Sequence, residues 1–574
     1  MRITTFHKNT LFTALFIVFS IGMWFFIPHV PIYKSTLSIA DLTDNNWSHG
    51  VLKDNTKILL VKNNQSNRLF PGEKIAVDTQ TEPLVIESVD FSTPEYVSVT
   101  LKKPILLDNT RQITTAVVPF SYSINQKDWV LTGRYIIVLL LSISMSTLWV
   151  YKKYPLLHLS IATFGIGIFI VLQHPVYSPI DESAHFDYIN HIFLEHKLPN
   201  VYSPIRTEEL IAIPNSRIET VSIGQSYEAV HPPLYYSIGA VISEMVYIFH
   251  GNTPTRLYVL RLFNLLLLMA SQYVIWKIYE RITSRTELVK NNALFLSLLG
   301  AFSLSPLFLG ILIPVSNESL TLLISSLVFL QTVDIVTKKT PLTYKDAIVS
   351  GLLLGLALLT KLTALPICIP IGLAYIYRKS YRLLLLTICV QISLLLPWLV
   401  HNWYTYHALT GTAAHIEFVK QIVNPFNLPF RFTDLVWRSY DFFGGMWFSY
   451  GSTPFDARLQ GGLSLIVLSL LLSAGGQLLF AYKKNRTLKE IIFTIFISTL
   501  ICTVVLLIVL SFTTPIVMLV GRYLYFNLAI FVCLVFWQTQ TIMLPKGQRM
   551  AMFIILGATT LYTMKYFVSL IQLV

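Results

Sequence analysis

Apolar runs long enough to cross a bilayer recur along almost the whole chain, separated by short polar turns, and this decides the solvent in which the chain folds. A helix needs roughly 20 apolar residues to span the hydrocarbon. Hydrophobic residues make up 54% of the 574 and charged residues only 13%, with a mean hydropathy of +0.60. That is too apolar for a water-soluble core and its surface, so lipid is the solvent for most of the chain. The net charge of +13 does not point to nucleic acid. The Lys and Arg sit in short clusters between apolar runs, as the positive-inside rule requires, and no basic stripe interleaved with aromatics is visible. Cys368, Cys389, Cys502 and Cys533 all lie inside apolar runs, so neither a disulfide framework nor a thiolate metal site follows.

The predicted fold class is mainly α: a polytopic membrane protein of about 13 transmembrane helices, with an N-terminal extracytoplasmic β-rich domain inserted between the first two spans. Arg2 and Lys8 precede the apolar run Leu11–Ile27 without a small-x-small cleavage site after it, which reads as an uncleaved signal anchor over 1–28. Over 29–132 the β-branched runs Lys57–Val61 and Tyr96–Leu101 alternate with Asn, Pro and Gly punctuation, predicting a sandwich-like domain of about seven strands.

Residues 133–574 form the transmembrane domain. Its spans are expected at about 134–151, 156–174, 256–277, 292–312, 318–335, 346–360, 362–378, 382–400, 459–482, 490–511, 520–540 and 550–570. The run Pro232–Phe249 is the difficult segment. Were it to span, Lys277, Arg281, Arg285 and Lys290 would lie outside and every later basic cluster would invert. It is therefore read as a re-entrant or interfacial helix on the outer side. Two long polar segments, 175–255 and 401–458, then share the extracytoplasmic face.

Candidate chemistry gathers on that face. Asp181 and Glu182 stand side by side just after a span emerges, and adjacent carboxylates near a low-dielectric boundary favour one with a raised proton affinity, suited to a general base. A helix cap with acidic first-turn residues explains the pair equally well. Glu228 and His231-Pro232-Pro233-Leu234-Tyr235-Tyr236 open an amphipathic helix, either as an interfacial aromatic belt or as a wall against a sugar ring. Lys361 falls between two apolar runs, and Arg522-Tyr523 repeats the situation at a later span. Cations there either meet a phosphate or snorkel to headgroups. Asn317-Glu318 is an outer-turn pair that a cap would also explain.

In this order the motifs resemble the GT-C superfamily of membrane glycosyltransferases. Asp181-Glu182 followed by His185-Phe186 resembles the Asp-Glu motif of protein O-mannosyltransferases, with one extra residue before the His. His231-Pro232-Pro233-Leu234 resembles the Lys/His-Pro-Pro-Leu motif of those enzymes and of aminoarabinose transferases. The run Gly351–Lys361 is similar to another stretch common in the superfamily. Gly521-Arg522-Tyr523, taken with the Asp-Glu motif, resembles more narrowly the bacterial family catalogued as domain of unknown function 2142. The resemblance covers about 156–540, and the insertion at 29–132 departs from the simplest members.

What the resemblance implies is an inverting transferase of the cell membrane that moves a sugar from a polyprenyl-phosphate donor to a hydroxyl acceptor on the extracytoplasmic face. The acceptor would be an envelope glycan, lipid or protein. It implies Asp181 and Glu182 as catalytic residues, Asp181 as the base and Glu182 as its partner in positioning acceptor or sugar, and His231, Lys361 and Arg522 on the donor phosphate. His185, Glu228, Tyr235, Asn317, Glu318 and Tyr523 would contact substrate. No cofactor is required and a divalent metal is optional. A glycan polymerase or ligase on the same scaffold is one alternative. A non-enzymatic lipid or polysaccharide transporter is another; it predicts charges at mid-membrane, whereas here they cluster at outer ends.

Overall fold

The computed structural model describes residues 155–173, 181–204, 226–416, 475–476, 487–513 and 521–542, together with the backbone of six strands between 47 and 117. The predicted anchor 11–27 and the predicted spans 134–151, 459–482 and 550–570 lie outside the described residues, as does most of 401–458.

The strands are β1 Trp47–Asp54, β2 Lys57–Val61, β3 Lys74–Val77, β4 Leu84–Asp90, β5 Tyr96–Leu101 and β6 Gln112–Val117. Where the sequence suggests a two-sheet sandwich, these six pair antiparallel in one closed sheet, in the order β1-β2-β5-β4-β3-β6. Closure comes from β1, whose Val51 stands opposite both Leu59 of β2 and Gln112 of β6. A sandwich leaves sheet edges; here the first and last strands pair instead.

The helices follow in chain order: α1 Pro155–Gln173, α2 Glu182–Glu195, α3 Leu234–Ile248, α4 Thr253–Arg285, α5 Asn292–Ser303, α6 Pro306–Leu312, α7 Glu318–Thr337, α8 Tyr344–Thr360, α9 Cys368–Tyr377, α10 Tyr381–Tyr406, α11 Leu488–Thr513 and α12 Leu528–Ile542. Five stretches among the described residues are long and apolar enough to cross a membrane: α4, α7, α10, α11 and Gly521–Thr541. The predicted span 292–312 is instead two helices. Pro306 has no amide to donate and disfavours helical backbone at Ser305, so the helix restarts there. The segments after Lys361 and at Gly521 likewise begin as 3-10 turns, Leu362–Ile367 and Gly521–Asn527.

Burial sorts the helices into layers. The window in Gly521–Thr541 is 89% buried, whereas that in α10 is 17% buried. A helix apolar all round belongs at the centre of a bundle or in lipid. The outward residues of α10 recur at helical spacing, Leu385, Ile388, Ile392, Leu396 and Val400, and form an exposed apolar stripe of the kind lipid accepts. The inner face of α10 meets α8 through glycines: a Cβ on Gly351 would stand 2.6 Å from both the Thr387 carbonyl and Val390, and one on Gly355 2.7 Å from Leu394. Small residues four apart let two backbones close in this way. Deeper in the bundle, Thr163 of α1 donates to Gln272 of α4 at 3.0 Å, and Gln272 donates to Ser303 of α5 at 2.8 Å.

α3 does not traverse the bundle. Its 15 residues reach only about 22 Å, against roughly 30 Å of hydrocarbon. It runs beside α2 in the same direction: Tyr236 stacks on Tyr188 and Tyr247 meets Phe193. α4 then returns against both, with Arg256 reaching Asn190 before Arg261 reaches Glu182. The far ends of the long helices gather the basic clusters. Arg285 of α4 pairs with Asp334 of α7, Lys338 pairs with Asp346 at the start of α8, and Arg378 donates to the Lys338 carbonyl.

The glycine contact makes a prediction. Gly351→Val drives a side chain into a backbone carbonyl, and the yield of monodisperse protein in size-exclusion chromatography is expected to fall sharply. Gly372→Ala, which meets nothing within 4 Å, leaves that yield unchanged.

Candidate active site

The site stands where α2, α3, α4, α7 and α8 meet the turn at Gly521, and its foundation is a buried ion pair. Arg261 donates through Nε and a terminal nitrogen to the two oxygens of Glu182, at 2.7 and 2.6 Å. The Val315 amide donates to the same carboxylate at 2.9 Å, and Arg261 also reaches the Val171 carbonyl at 3.2 Å. Both side chains are fully buried. A bidentate pair of this kind satisfies the groups that burial strips of water. It fixes α1, α2, α4 and the bend between α6 and α7 to one another. Asn264, one turn along α4, holds the same bend through the Pro314 carbonyl at 2.6 Å and accepts from the Tyr235 hydroxyl at 3.1 Å.

Asp181 precedes α2 with φ 69°, a left-handed backbone, and its side chain makes no capping bond to the helix. An ordinary cap sits in extended backbone and closes on the first-turn amides; left-handed backbone in a residue other than glycine is sparsely populated and costs energy. The carboxylate turns the other way. The Tyr227 hydroxyl donates to it at 2.6 Å, and Arg522 lies 3.5 Å from its second oxygen. Asp181 and Arg522 each keep 22% of their side chains exposed, unlike the sealed Glu182. From Arg522 the chain of contacts continues. The Tyr523 ring lies beneath both the Arg522 guanidinium, at 5.2 Å, and the Lys361 ammonium, at 5.3 Å. Lys361 is ion-paired with Glu318. Asn317 donates to the Thr360 carbonyl at 3.3 Å and reaches the Tyr236 hydroxyl at 3.4 Å.

Beside this row stands a column of rings. Tyr188 stacks on Tyr236 at 3.9 Å, His185 lies 5.8 Å from Tyr236, and His231 lies 6.3 Å from His185. Glu228 sits against the imidazoles, 2.8 Å from His231 and 3.5 Å from His185. Burial alone would raise the Glu228 carboxyl, but His185, His231 and His415 outweigh it and hold the group well below its usual range. Burial lowers His185 and His415, opposed in part by Glu228. Burial, with Asp181 alongside, pushes the Tyr227 phenol well above its usual range, so it remains a donor. Residues of the second polar segment join in: the His415 ring lies parallel to Tyr227 at 6.4 Å, and the Tyr406 hydroxyl accepts from the Val201 amide at 3.1 Å.

No family model matches the chain, and no curated protein matches it. Among solved structures it is similar to ArnT from Cupriavidus metallidurans bound to undecaprenyl phosphate, at 15% identity over 70% of this chain and 63% of that one, with a TM-score of 0.40. It is also similar to the archaeal oligosaccharyltransferase AglB from Archaeoglobus fulgidus in complex with an inhibitory peptide and a dolichol-phosphate, at 13% identity over 73% of this chain and 56% of that one, with a TM-score of 0.43. The chain covers less than two thirds of either matched chain, and at these scores the likeness is one of partial outline.

All eleven residues singled out in the sequence lie at this one end of the bundle, in different settings. Asp181, His231, Arg522 and Tyr523 form or border the partly open row, and Lys361 stands at its buried end. Glu182 and Tyr235 are sealed behind it. Sequence reading missed Arg261, Tyr227, Asn264 and His415. Arg256 and Arg261 carried a signal, since a cation within an apolar helix requires a buried partner; Tyr227 and His415 carried none. Among the described residues no group of three or more His, Cys, Asp or Glu side chains is placed to hold a metal ion.

Two predictions follow from the buried groups. Arg261→Met leaves Glu182 charged and unpaired, at a cost of about 3–5 kcal/mol, read as a large drop in thermal midpoint; Glu182→Gln added to it restores part of the loss. The second concerns pH. His185 and His415 bind protons less readily folded than unfolded, so their contribution is intact above their ordinary value of 6.5 and is lost as pH falls below it. Glu228 acts in the same direction below its ordinary 4.5. The thermal midpoint should therefore decline from neutral pH towards acid, and His415→Gln should flatten the first part of the decline; a level profile would contradict neutral buried imidazoles.

Proposed function

We propose that the protein is an inverting glycosyltransferase that takes a sugar from a polyprenyl-phosphate carrier and passes it to a hydroxyl acceptor of the cell envelope, on the extracytoplasmic side of the membrane. The observation that carries this reading is the row Asp181–Arg522–Tyr523–Lys361: a partly exposed carboxylate held out of its capping position, beside the Arg522 guanidinium, which shares one aromatic ring with the Lys361 ammonium.

The chemistry asks for such a row. The acceptor hydroxyl must lose a proton as its oxygen bonds to the anomeric carbon, and Asp181 is the carboxylate placed to take that proton. The bond from the anomeric carbon to the phosphate oxygen breaks on the opposite face, and its electron pair stays on the phosphate. The leaving group therefore needs positive charge rather than an acid. Arg522 and Lys361 supply it, with His231 at the edge. Glu318 shares Lys361 in the resting arrangement and yields it to the incoming phosphate. Glu182 acts indirectly: with Arg261 it anchors the first turn of α2 and so orients Asp181. The ring column and Glu228 form the wall against which the sugar lies, ring face to imidazole and hydroxyls to carboxylate.

The test uses the full chain in membrane vesicles supplied with a panel of radiolabelled polyprenyl-phosphate sugars and envelope acceptors. Asp181→Asn is expected to reach the membrane in normal amount yet lower transfer by about 100-fold or more, while Arg522→Gln and Lys361→Gln weaken use of the donor. Transfer at the parental rate by Asp181→Asn would remove this residue from the mechanism.

A further inference from the structure

The end of the bundle remote from Asp181 holds a cavity of about 1070 Å³ lined by Ser284, Arg285, Thr286, Glu287, Thr337, Lys338, Lys339, Thr340, Thr487, Leu488 and Lys489. It opens where the end of α4, the end of α7 and the start of α11 come together. The 20 residues of α7 set it about 30 Å from the candidate active site. Its lining holds four cations against one acid, Glu287, with five hydroxyl-bearing side chains and a single apolar one, Leu488.

We infer that this cavity is a binding site for a phosphate group of net negative charge, which excludes a zwitterionic headgroup. The cations divide by role. Arg285 is held by Asp334 and Lys338 by Asp346, so these two shape the walls. Lys339 and Lys489 have no acidic partner among the described residues and are available to an incoming anion. The carbonyls that would oppose an anion at the end of α7 are occupied: Arg378 donates to those of Lys338 and Thr340, at 2.7 and 3.0 Å. At the start of α11, Thr487 and Glu490 close the first turn on each other, so the positive charge of the cavity comes from its side chains. Of the five hydroxyls, those of Ser284, Thr286 and Thr337 donate to backbone carbonyls of α4 and α7, which leaves Thr340 and Thr487 to donate to a phosphate.

The volume is larger than a bare phosphate requires and the lining is almost wholly polar, which suits a phosphate carried on a polar headgroup. The positive-inside rule gives this end to the cytoplasmic leaflet, where anionic phospholipids concentrate, and basic hollows between helix ends on that side hold lipid headgroups. A soluble phosphate compound from the cytoplasm offers the same chemistry. This site is independent of the transfer reaction proposed above.

The experiment compares the full chain in nanodiscs of phosphatidylcholine alone with nanodiscs containing phosphatidylglycerol, reading thermal midpoint and lipid retained by native mass spectrometry. A parallel arm titrates inorganic phosphate into the phosphatidylcholine nanodiscs. Lys339→Gln/Lys489→Gln is compared with Lys277→Gln/Lys345→Gln, which removes equal charge outside the cavity lining. Stabilisation by either phosphate source that falls at least fivefold in apparent affinity only in the cavity variant supports the site. Retention with phosphatidylglycerol alone identifies the lipid headgroup, and a response to inorganic phosphate identifies the soluble source. No phosphate response in the parental chain, or equal loss in both double variants, overturns it.

Discussion

The Glu182–Arg261 pair is the contact on which the rest of the site depends. Two charges without exposure to water persist only if each satisfies the other, and here the carboxylate also caps the Val315 amide while the guanidinium meets the Val171 carbonyl. Four chain segments distant in sequence therefore share one electrostatic knot. Neighbours of that knot inherit its precision. Asp181 is adjacent in the chain to Glu182, Asn264 is one helical turn from Arg261, and Asn317 follows the bend that Val315 and Pro314 pin. The row of partly exposed groups is thus built on a sealed one, and the exposed members owe their positions to residues that touch no solvent.

This explains the pairing of strain and accessibility at Asp181. Its left-handed backbone has no local compensation through a cap bond, so the compensation must come from the surroundings: the Tyr227 hydroxyl, the Arg522 guanidinium and the anchored start of α2. A carboxylate that merely completed a helix end would have taken the cheaper geometry. The same reasoning separates Lys361 from a snorkelling lysine. It lies against an acid and an aromatic face instead of reaching for headgroups.

Hydropathy made the helical segments legible because lipid imposes a length and an absence of charge on any crossing. It was silent about interruptions, which depend on single residues such as Pro306 and on the 3-10 turns at Leu362 and Gly521. Motif order brought out Asp181, His231, Lys361 and Arg522, each a polar group at a place where polarity needs a reason. It made Asp181 the base and Glu182 its partner at the substrate, since adjacency in sequence hides that one side chain turns to a buried arginine and its neighbour to an open row. Tyr227 and His415 were invisible for a different cause: aromatic residues at a membrane boundary are commonplace, and only a fold shows which of them touches a carboxylate. The strands were read as a sandwich because alternation reports strands without reporting which strand closes on which.

The shortness of α3 has a further consequence for the way such a chain is inserted. A segment that leaves and re-enters on one side contributes nothing to the parity of crossings, so Lys361, which follows it, is delivered to the compartment of Asp181, which precedes it, by counting alone, before any tertiary contact forms. Lengthening that helix until it traversed the bilayer would reverse the orientation demanded of every later segment and set the basic loops against the translocation machinery. Sidedness of the cleft is thereby encoded in a deficit of about two helical turns.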